Sequence, residues 1–221
     1  MPFKAVIFDM DGLMSDTETH HCTAWVRLLE EYGVKIDEKY FSQFVGSSTA
    51  ENAKKLKLDF GIKTSPEELV LRRRDLYLEI INNEKLIPTS GLKEVFLTAE
   101  KRGLKKAVGT SSPMIEVEAV LVRVLKACDI TVSAEKYFDV MVTADIVKKL
   151  KPSPEIYRKC VEKLGLKSED CIVLEDSVSG VKAAKEAGLF CVAFKSRYSQ
   201  HQDLSAADKV VSSLLEVVNI L

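Results

Sequence analysis

A chain of 221 residues can bury the core of one α/β domain and carry an insertion, and its 32 basic against 33 acidic side chains, a formal net charge of −1, exclude the charge profile of a nucleic-acid binder. No apolar run approaches membrane-spanning length, and Met1-Pro2-Phe3-Lys4 leads straight into a strand with no room for a signal peptide, so a soluble, cytoplasmic protein is expected. Cys22, Cys128, Cys160, Cys171 and Cys191 are scattered and form no C-x-x-C pair, which predicts buried reduced thiols rather than disulfides or a zinc site, with a lone reactive cysteine as the alternative.

The chain opens on a short unbroken apolar run, Ala5 to Phe8, which reads as a strand buried on both faces and stops at a carboxylate. Asp9 and Asp11 are two residues apart, so an extended backbone projects both to one side, and a cation between them relieves their repulsion. Gly12 permits a sharp turn close to a ligand. Two readings stand at this point: an acidic turn closing a strand, or a carboxylate pair that works on a phosphate ester with a bound Mg²⁺. An EF-hand is excluded, because Met14 and His20 occupy the glycine and final carboxylate positions that its loop requires.

From Thr17 to about Lys85 only helical periodicity is visible. Ser15 and Glu18 have the spacing of a capping box, and Ala24, Trp25, Leu28, Leu29 and Tyr32 form an apolar stripe ending at Gly33. His20 and His21 point about 100° apart on a helix and cannot readily chelate one ion together. They read as surface or substrate-facing residues, with His21 one turn from Trp25. A small polar loop around Ser47-Ser48-Thr49 precedes a helix from about Ala50 to Phe60, and Ser65, Pro66 and Glu68 give a strong start signal for the next. In that helix Arg72, Arg73 and Arg74 span about 200°, so a solvated face and one arginine turned toward an anionic substrate are both open readings.

After Pro88 helices and strands alternate. Strands are expected at Lys105–Thr110, within Tyr137–Thr143, at Cys171–Leu174, at Phe190–Phe194 and, as an edge, at Lys209–Val211, with helices at Leu92–Arg102, after Pro113, at Ile156–Leu164, Gly180–Ala187 and Leu214–Leu221. Such alternation implies a parallel sheet covered on both faces, with ligands at the carboxyl ends of the strands. Asp9 and Asp11, Thr110, and Glu175 with Asp176 all fall there. Thr110, with the amides of Ser111 and Ser112, is placed to bind phosphate at a helix start or simply to cap that helix. Two prolines stiffen the chain around Lys151 and make it a positioned charge, whereas Lys148 and Lys149 read as solvated. The segment Ala127–Ser133 lengthens the connection before Tyr137 for no reason the sequence supplies.

Asp9-Met-Asp-Gly12, Val108-Gly-Thr-Ser-Ser112, Lys151-Pro-Ser-Pro-Glu-Ile-Tyr157 and Val173-Leu-Glu-Asp-Ser-Val-Ser-Gly-Val181 occur in one order along the chain. With them the sequence resembles the haloacid dehalogenase superfamily, in its phosphatase and β-phosphoglucomutase-like branch. The resemblance implies an α/β fold: a Rossmann-like three-layer core with a parallel sheet, residues 1–16 and 86–221, and an α-helical cap, 17–85, inserted after the first strand. It implies Asp9 as the nucleophile of an aspartyl-phosphate, Asp11 as acid and then base, Thr110, Ser111 and Lys151 around the phosphoryl group, and Mg²⁺ on Asp9, the Asp11 carbonyl and Asp176 with Glu175 in support.

The function expected is Mg²⁺-dependent hydrolysis of a small phosphorylated metabolite of the sugar or polyol phosphate kind, by a monomer. Glu18, His21, Thr49 and Arg73 are the candidate substrate contacts of the cap. Two alternatives stay open, a phosphosugar mutase and a non-catalytic phospho-acceptor domain. Against the mutase, Thr49 stands where β-phosphoglucomutases place an arginine; against the phospho-acceptor stand the Asp9-x-Asp11 pair and the helical insertion.

Overall fold

The computed structural model describes residues 3–41, 44 and 48–221. These fall into two compact units, one built from Met1–Asp16 with Leu86–Leu221 and the other from Thr17–Lys85.

The first unit is a parallel sheet of six strands in the order β3-β2-β1-β4-β5-β6. Its strands are β1 (Ala5–Phe8), β2 (Lys105–Gly109), β3 (Val140–Val142), β4 (Cys171–Glu175), β5 (Phe190–Phe194) and β6 (Lys209–Val211). The apolar residues that make β1 a strand are each fully buried, because β1 lies between β2 and β4 and is covered on both faces. Ala5 and Ile7 point into a core shared with Ile156, Tyr157 and Cys160 of an α-helix at Glu155–Leu164 and with Val181, Ala183 and Ala184 of another at Val178–Glu186. The alternate residue Phe8 meets Phe96, at 5.2 Å between ring centroids, on a helix at Leu92–Lys101. Helices therefore cover both faces, as expected. A helix at Met114–Ala127 and a short one at Ala134–Tyr137 complete the unit, and the chain ends in a 3₁₀ helix, Leu214–Asn219, where a regular closing helix is expected.

The second unit holds α1 (Glu18–Glu30), α2 (Glu38–Phe41), α3 (Thr49–Phe60) and α4 (Pro66–Asn83), and no strand among its described residues. The start of α4 follows its sequence signal: Ser65 Oγ accepts from the Glu68 amide at 3.2 Å and the Glu68 carboxylate accepts from the Ser65 amide. The helices of the first unit are, in chain order, α5 (Leu92–Lys101), α6 (Met114–Ala127), α7 (Ala134–Tyr137), α8 (Glu155–Leu164) and α9 (Val178–Glu186).

The start of α1 differs from expectation. Thr17, not Ser15, is the residue before the helix and makes no side-chain cap bond. Ser15 Oγ donates instead to the Ile87 carbonyl at 2.8 Å, and Ser15 forms a bridge to Pro88, so the serine ties together the two points where the chain leaves and re-enters the sheet unit. His21 lies flat on Tyr77 of α4, with centroids 4.3 Å apart and planes 8° apart. Of the loop read before α3, Gly46 and Ser47 lie outside the described residues.

Candidate active site

Pairing in register sets the first layer of the site. Phe8 lies opposite Val108 on one side and Leu174 on the other, so Asp9, Thr110 and Glu175 with Asp176 emerge at neighbouring carboxyl ends. The Asp9 amide donates to the Leu174 carbonyl at 2.9 Å, and the Thr110 amide donates to that of Val142 at 3.0 Å. The backbone then turns at Gly12, whose φ is +75°. A Cβ there would come within 2.2 Å of Asp176 Oδ2, so only glycine lets this turn lie on that carboxylate.

Lys151 is the centre of the charge network. Its Nζ donates to Asp9 Oδ1 at 2.5 Å and to Glu175 Oε1 at 2.6 Å, with its side chain 5% exposed. The segment before it is held by Glu155, whose carboxylate oxygens accept from the amides of Lys148 and Lys149. The Lys151–Pro152 peptide is cis. Glu175 is fully buried and enclosed by donors: Oε1 also accepts from the Tyr157 hydroxyl at 2.5 Å, and Oε2 accepts from the amides of Asp176 and Ser177 and from Ser177 Oγ.

Burial pushes the Asp9 carboxyl well above the usual carboxylate range; Lys151 pulls the other way, and Glu175 and Asp11 push further up. For Lys151 burial opposes the charge, yet Asp9 and Glu175 hold the ammonium above the ordinary lysine range. Burial beside Glu175 likewise keeps Tyr157 a neutral phenol and a donor. Asp9, Glu175 and Asp176 each offer one oxygen within 4.8 Å of the others. Three buried carboxylates gathered this closely repel one another, and hard oxygen donors in that number suit a divalent cation such as Mg²⁺. The residues fit the ion that the sequence implies.

Asp11 stands apart from that triangle. Its Oδ2 accepts from Ser112 Oγ at 2.6 Å. The Ser112 amide, expected to face a phosphate, donates instead to Thr110 Oγ1 at 3.0 Å, and the Met114 amide opening α6 is taken by the Asp145 carboxylate at 2.6 Å. The Ser112 amide, foreseen for an anion, is thus spent inside the loop. Ser111 Oγ is buried with no hydrogen-bond partner among the described residues.

The helical unit brings two of its four candidates together. Arg73 is 1% exposed, lies over the Tyr77 ring at 4.7 Å and meets His21 Nδ1 through Nη2. Its neighbour Arg72 is exposed and bonded to Glu31, so the arginine triplet divides between solvent and interior. Glu18 and Thr49 open α1 and α3, both half-buried.

Four groups of the network lie in motifs the sequence displays but have no role assigned there: the Ser112 hydroxyl, Tyr157, Ser177 and Gly180. Tyr157 has the pattern of an ordinary core aromatic on α8. Gly180 carries the clearest signal, a glycine in the first turn of a helix, and a Cβ there would sit 1.8 Å from Glu175 Oε1.

The sequence profile described as haloacid dehalogenase-like hydrolase matches residues 6–194. The phosphorylated carbohydrates phosphatase of Thermotoga maritima is 37% identical over 84% of this chain and 82% of its own length. The fructose-1-phosphate phosphatase YqaB of Escherichia coli is 30% identical over 86% of this chain and 95% of its own. Among solved structures, CbbY from Rhodobacter sphaeroides in complex with phosphate superposes with a TM-score of 0.86 at 25% identity, over 97% of this chain and 96% of that one.

Proposed function

The chain belongs to the haloacid dehalogenase-like hydrolase family as a phosphatase, and we propose that it hydrolyses a small sugar or polyol phosphate through an aspartyl-phosphate on Asp9. One observation carries this reading: Asp9, Thr110, Lys151, Glu175 and Asp176 gather at the carboxyl ends of neighbouring inner strands, with the Lys151 ammonium 2.5 Å from the Asp9 carboxylate. In the proposed reaction an Asp9 oxygen attacks phosphorus while the ester oxygen leaves with the proton of Asp11. Asp11, now a carboxylate, takes a proton from water, which attacks the same phosphorus and releases Asp9 and inorganic phosphate. Thr110, Ser111 and Lys151 hold the phosphoryl oxygens as charge develops on them.

Asp9, Asp176 and the Asp11 carbonyl would hold Mg²⁺, with Glu175 in support, and the ion would offset the negative charge of the phosphoryl group. The helical unit, 17–85, would act as a cap whose Glu18, His21, Thr49 and Arg73 recognise the part of the substrate that does not react. The names of the two phosphatase relatives support a carbohydrate phosphate as substrate class.

Phosphate release from an aryl phosphate tests the core of this reading. Turnover is expected to require Mg²⁺ and to vanish with a chelator or in Asp9→Asn; turnover that survives both would overturn it. A screen of sugar phosphates should then give kcat/KM values above the aryl ester. Transfer of phosphate to another hydroxyl of β-glucose 1-phosphate, without release, would mark a mutase instead.

A further inference from the structure

We propose that Tyr157 is a positioning residue for catalysis, setting through Glu175 where the Lys151 ammonium stands; this inference rests on the reading of Asp9 and Lys151 given above. Tyr157 is fully buried on α8, and its described hydrogen bond is the 2.5 Å one to Glu175 Oε1. That oxygen is also the one to which Lys151 donates at 2.6 Å. The Lys151 ammonium in turn lies over the Tyr157 ring at 4.8 Å. The tyrosine thus reaches the lysine twice, by its hydroxyl through a shared carboxylate oxygen and by its ring directly.

The rest of Glu175 has no freedom to adjust. Oε2 is held by the amides of Asp176 and Ser177 and by Ser177 Oγ, and a Cβ at Gly180 would already overlap the carboxylate. The position of Oε1 is therefore set by its two remaining donors, the phenol and the ammonium. When a phosphoryl group comes to Asp9, Lys151 must share with it the bond it now makes to Asp9 Oδ1. What keeps Nζ in place through that exchange is Glu175 Oε1 and the ring face. Removing the phenol hydroxyl leaves Oε1 with more unneutralised charge, and that charge draws the ammonium toward Glu175 and away from the phosphoryl oxygens.

A second residue reports on the same device. Gly109 ends β2, and a Cβ there would stand 3.1 Å from Tyr157 Cε1. Gly109→Ala removes no polar group and presses on that ring first, with Cys160 Sγ and Ile156 Cγ2 each 3.2 Å away sharing the few tenths of an ångström that must be given.

The test compares the Mg²⁺-loaded wild-type protein with Tyr157→Phe and Gly109→Ala, and uses Asp9→Asn as the control for the site itself. Tyr157→Phe is expected to lower kcat about tenfold with KM changed less than twofold. Inhibition by orthovanadate, which mimics the five-coordinate phosphoryl group, should weaken by the same factor and inhibition by inorganic phosphate stay near wild type, while the melting temperature falls by a few degrees because a buried carboxylate loses a donor. Gly109→Ala should show the same pattern, smaller. A merely structural role would also lower the melting temperature but leave vanadate and phosphate affinities in their wild-type ratio. Wild-type kcat and vanadate inhibition in folded Tyr157→Phe overturn the inference; should that variant not fold, the same result in Gly109→Ala does so. Activity surviving in Asp9→Asn would instead overturn the underlying reading of the site.

Discussion

Lys151 and Arg73 are both buried cations, and the two units hold them by different means. Lys151 sits between two carboxylates at the carboxyl ends of the central strands of a parallel sheet, 2.5 Å from Asp9 and 2.6 Å from Glu175. Arg73 sits inside a helical unit, and its described contacts are an aromatic face at 4.7 Å and an imidazole nitrogen. Carboxylates fix a charge at a point, which suits a group that must meet a phosphoryl oxygen in a defined geometry. Stacking holds a guanidinium by its face rather than at one point, which suits recognition of a variable anionic or hydroxylated group.

The largest expected effect separates these roles directly. Lys151→Met should lower kcat on the order of 10²- to 10³-fold, the loss typical of removing one donor to a developing oxyanion. Arg73→Met, of similar length and without charge, should leave kcat within about threefold while raising KM roughly tenfold and reordering a panel of sugar phosphates, as expected when binding common to ground and transition states is lost. Steady-state kinetics on both variants decides the matter. Equal losses of kcat would remove the distinction between the two cations.

Glycines offer a second contrast, intermediate in size. Gly180→Ala forces a methyl into the space of the Glu175 carboxylate, 1.8 Å from Oε1. It should cost about 1–3 kcal/mol of stability and abolish most activity, since the carboxylate that holds Lys151 must move. Gly61 ends α3 at φ +63° with open space around its Cβ position. Gly61→Ala should cost roughly 1 kcal/mol through backbone strain alone, a fall in melting temperature of about 2–4 °C, and leave activity near wild type. Thermal melts paired with aryl phosphate assays read both quantities.

The same division explains what could be read from the sequence. Ala5 to Phe8 announce a doubly buried strand because the sheet imposes one requirement on every residue of the run, and Asp9, Thr110 and Glu175 follow from where such strands end. Each lies in a contiguous motif. The hydrogen bond from Tyr157 to Glu175 and the stacking of His21 on Tyr77 are set by packing between elements distant in the chain, and no local pattern encodes them. Ser15 shows the conflict plainly: its spacing to Glu18 fits a capping box, yet the nearby Ile87 carbonyl takes its hydroxyl. The lengthened segment after α6 also finds its physical account only in three dimensions. Asp129 adopts φ +63° just past the end of α6, where the Ile130 amide returns to the Leu125 carbonyl at 2.9 Å, and Lys93 on α5 holds the Asp129 carboxylate at 2.6 Å.

The smallest effect concerns ion pairs away from either site. In the sheet unit Lys185 donates to Asp208 at 2.5 and 2.7 Å, and the Cys191 amide adds a third bond at 2.7 Å where β5 runs beside β6. Burial alone would raise the Asp208 carboxyl, but these donors outweigh it and hold it below the ordinary range. A depressed folded value means that the contribution is fully present above the unfolded carboxylate pKa of about 4 and is lost as pH falls through the folded value. The pair is partly exposed, so that contribution should stay under about 1 kcal/mol. Melting curves of wild type and Asp208→Asn should run parallel above about pH 5 and converge toward pH 3. Arg72 and Glu31 in the helical unit form a pair of similar distance, 2.5 Å, but in the open, with Glu31 held low by the Arg72 hydrogen bond. Glu31→Gln should give no measurable shift at physiological salt, where solvent and ions screen it. A larger loss from Glu31→Gln than from Asp208→Asn would show that the helical unit relies on surface charge where the sheet unit relies on backbone contact.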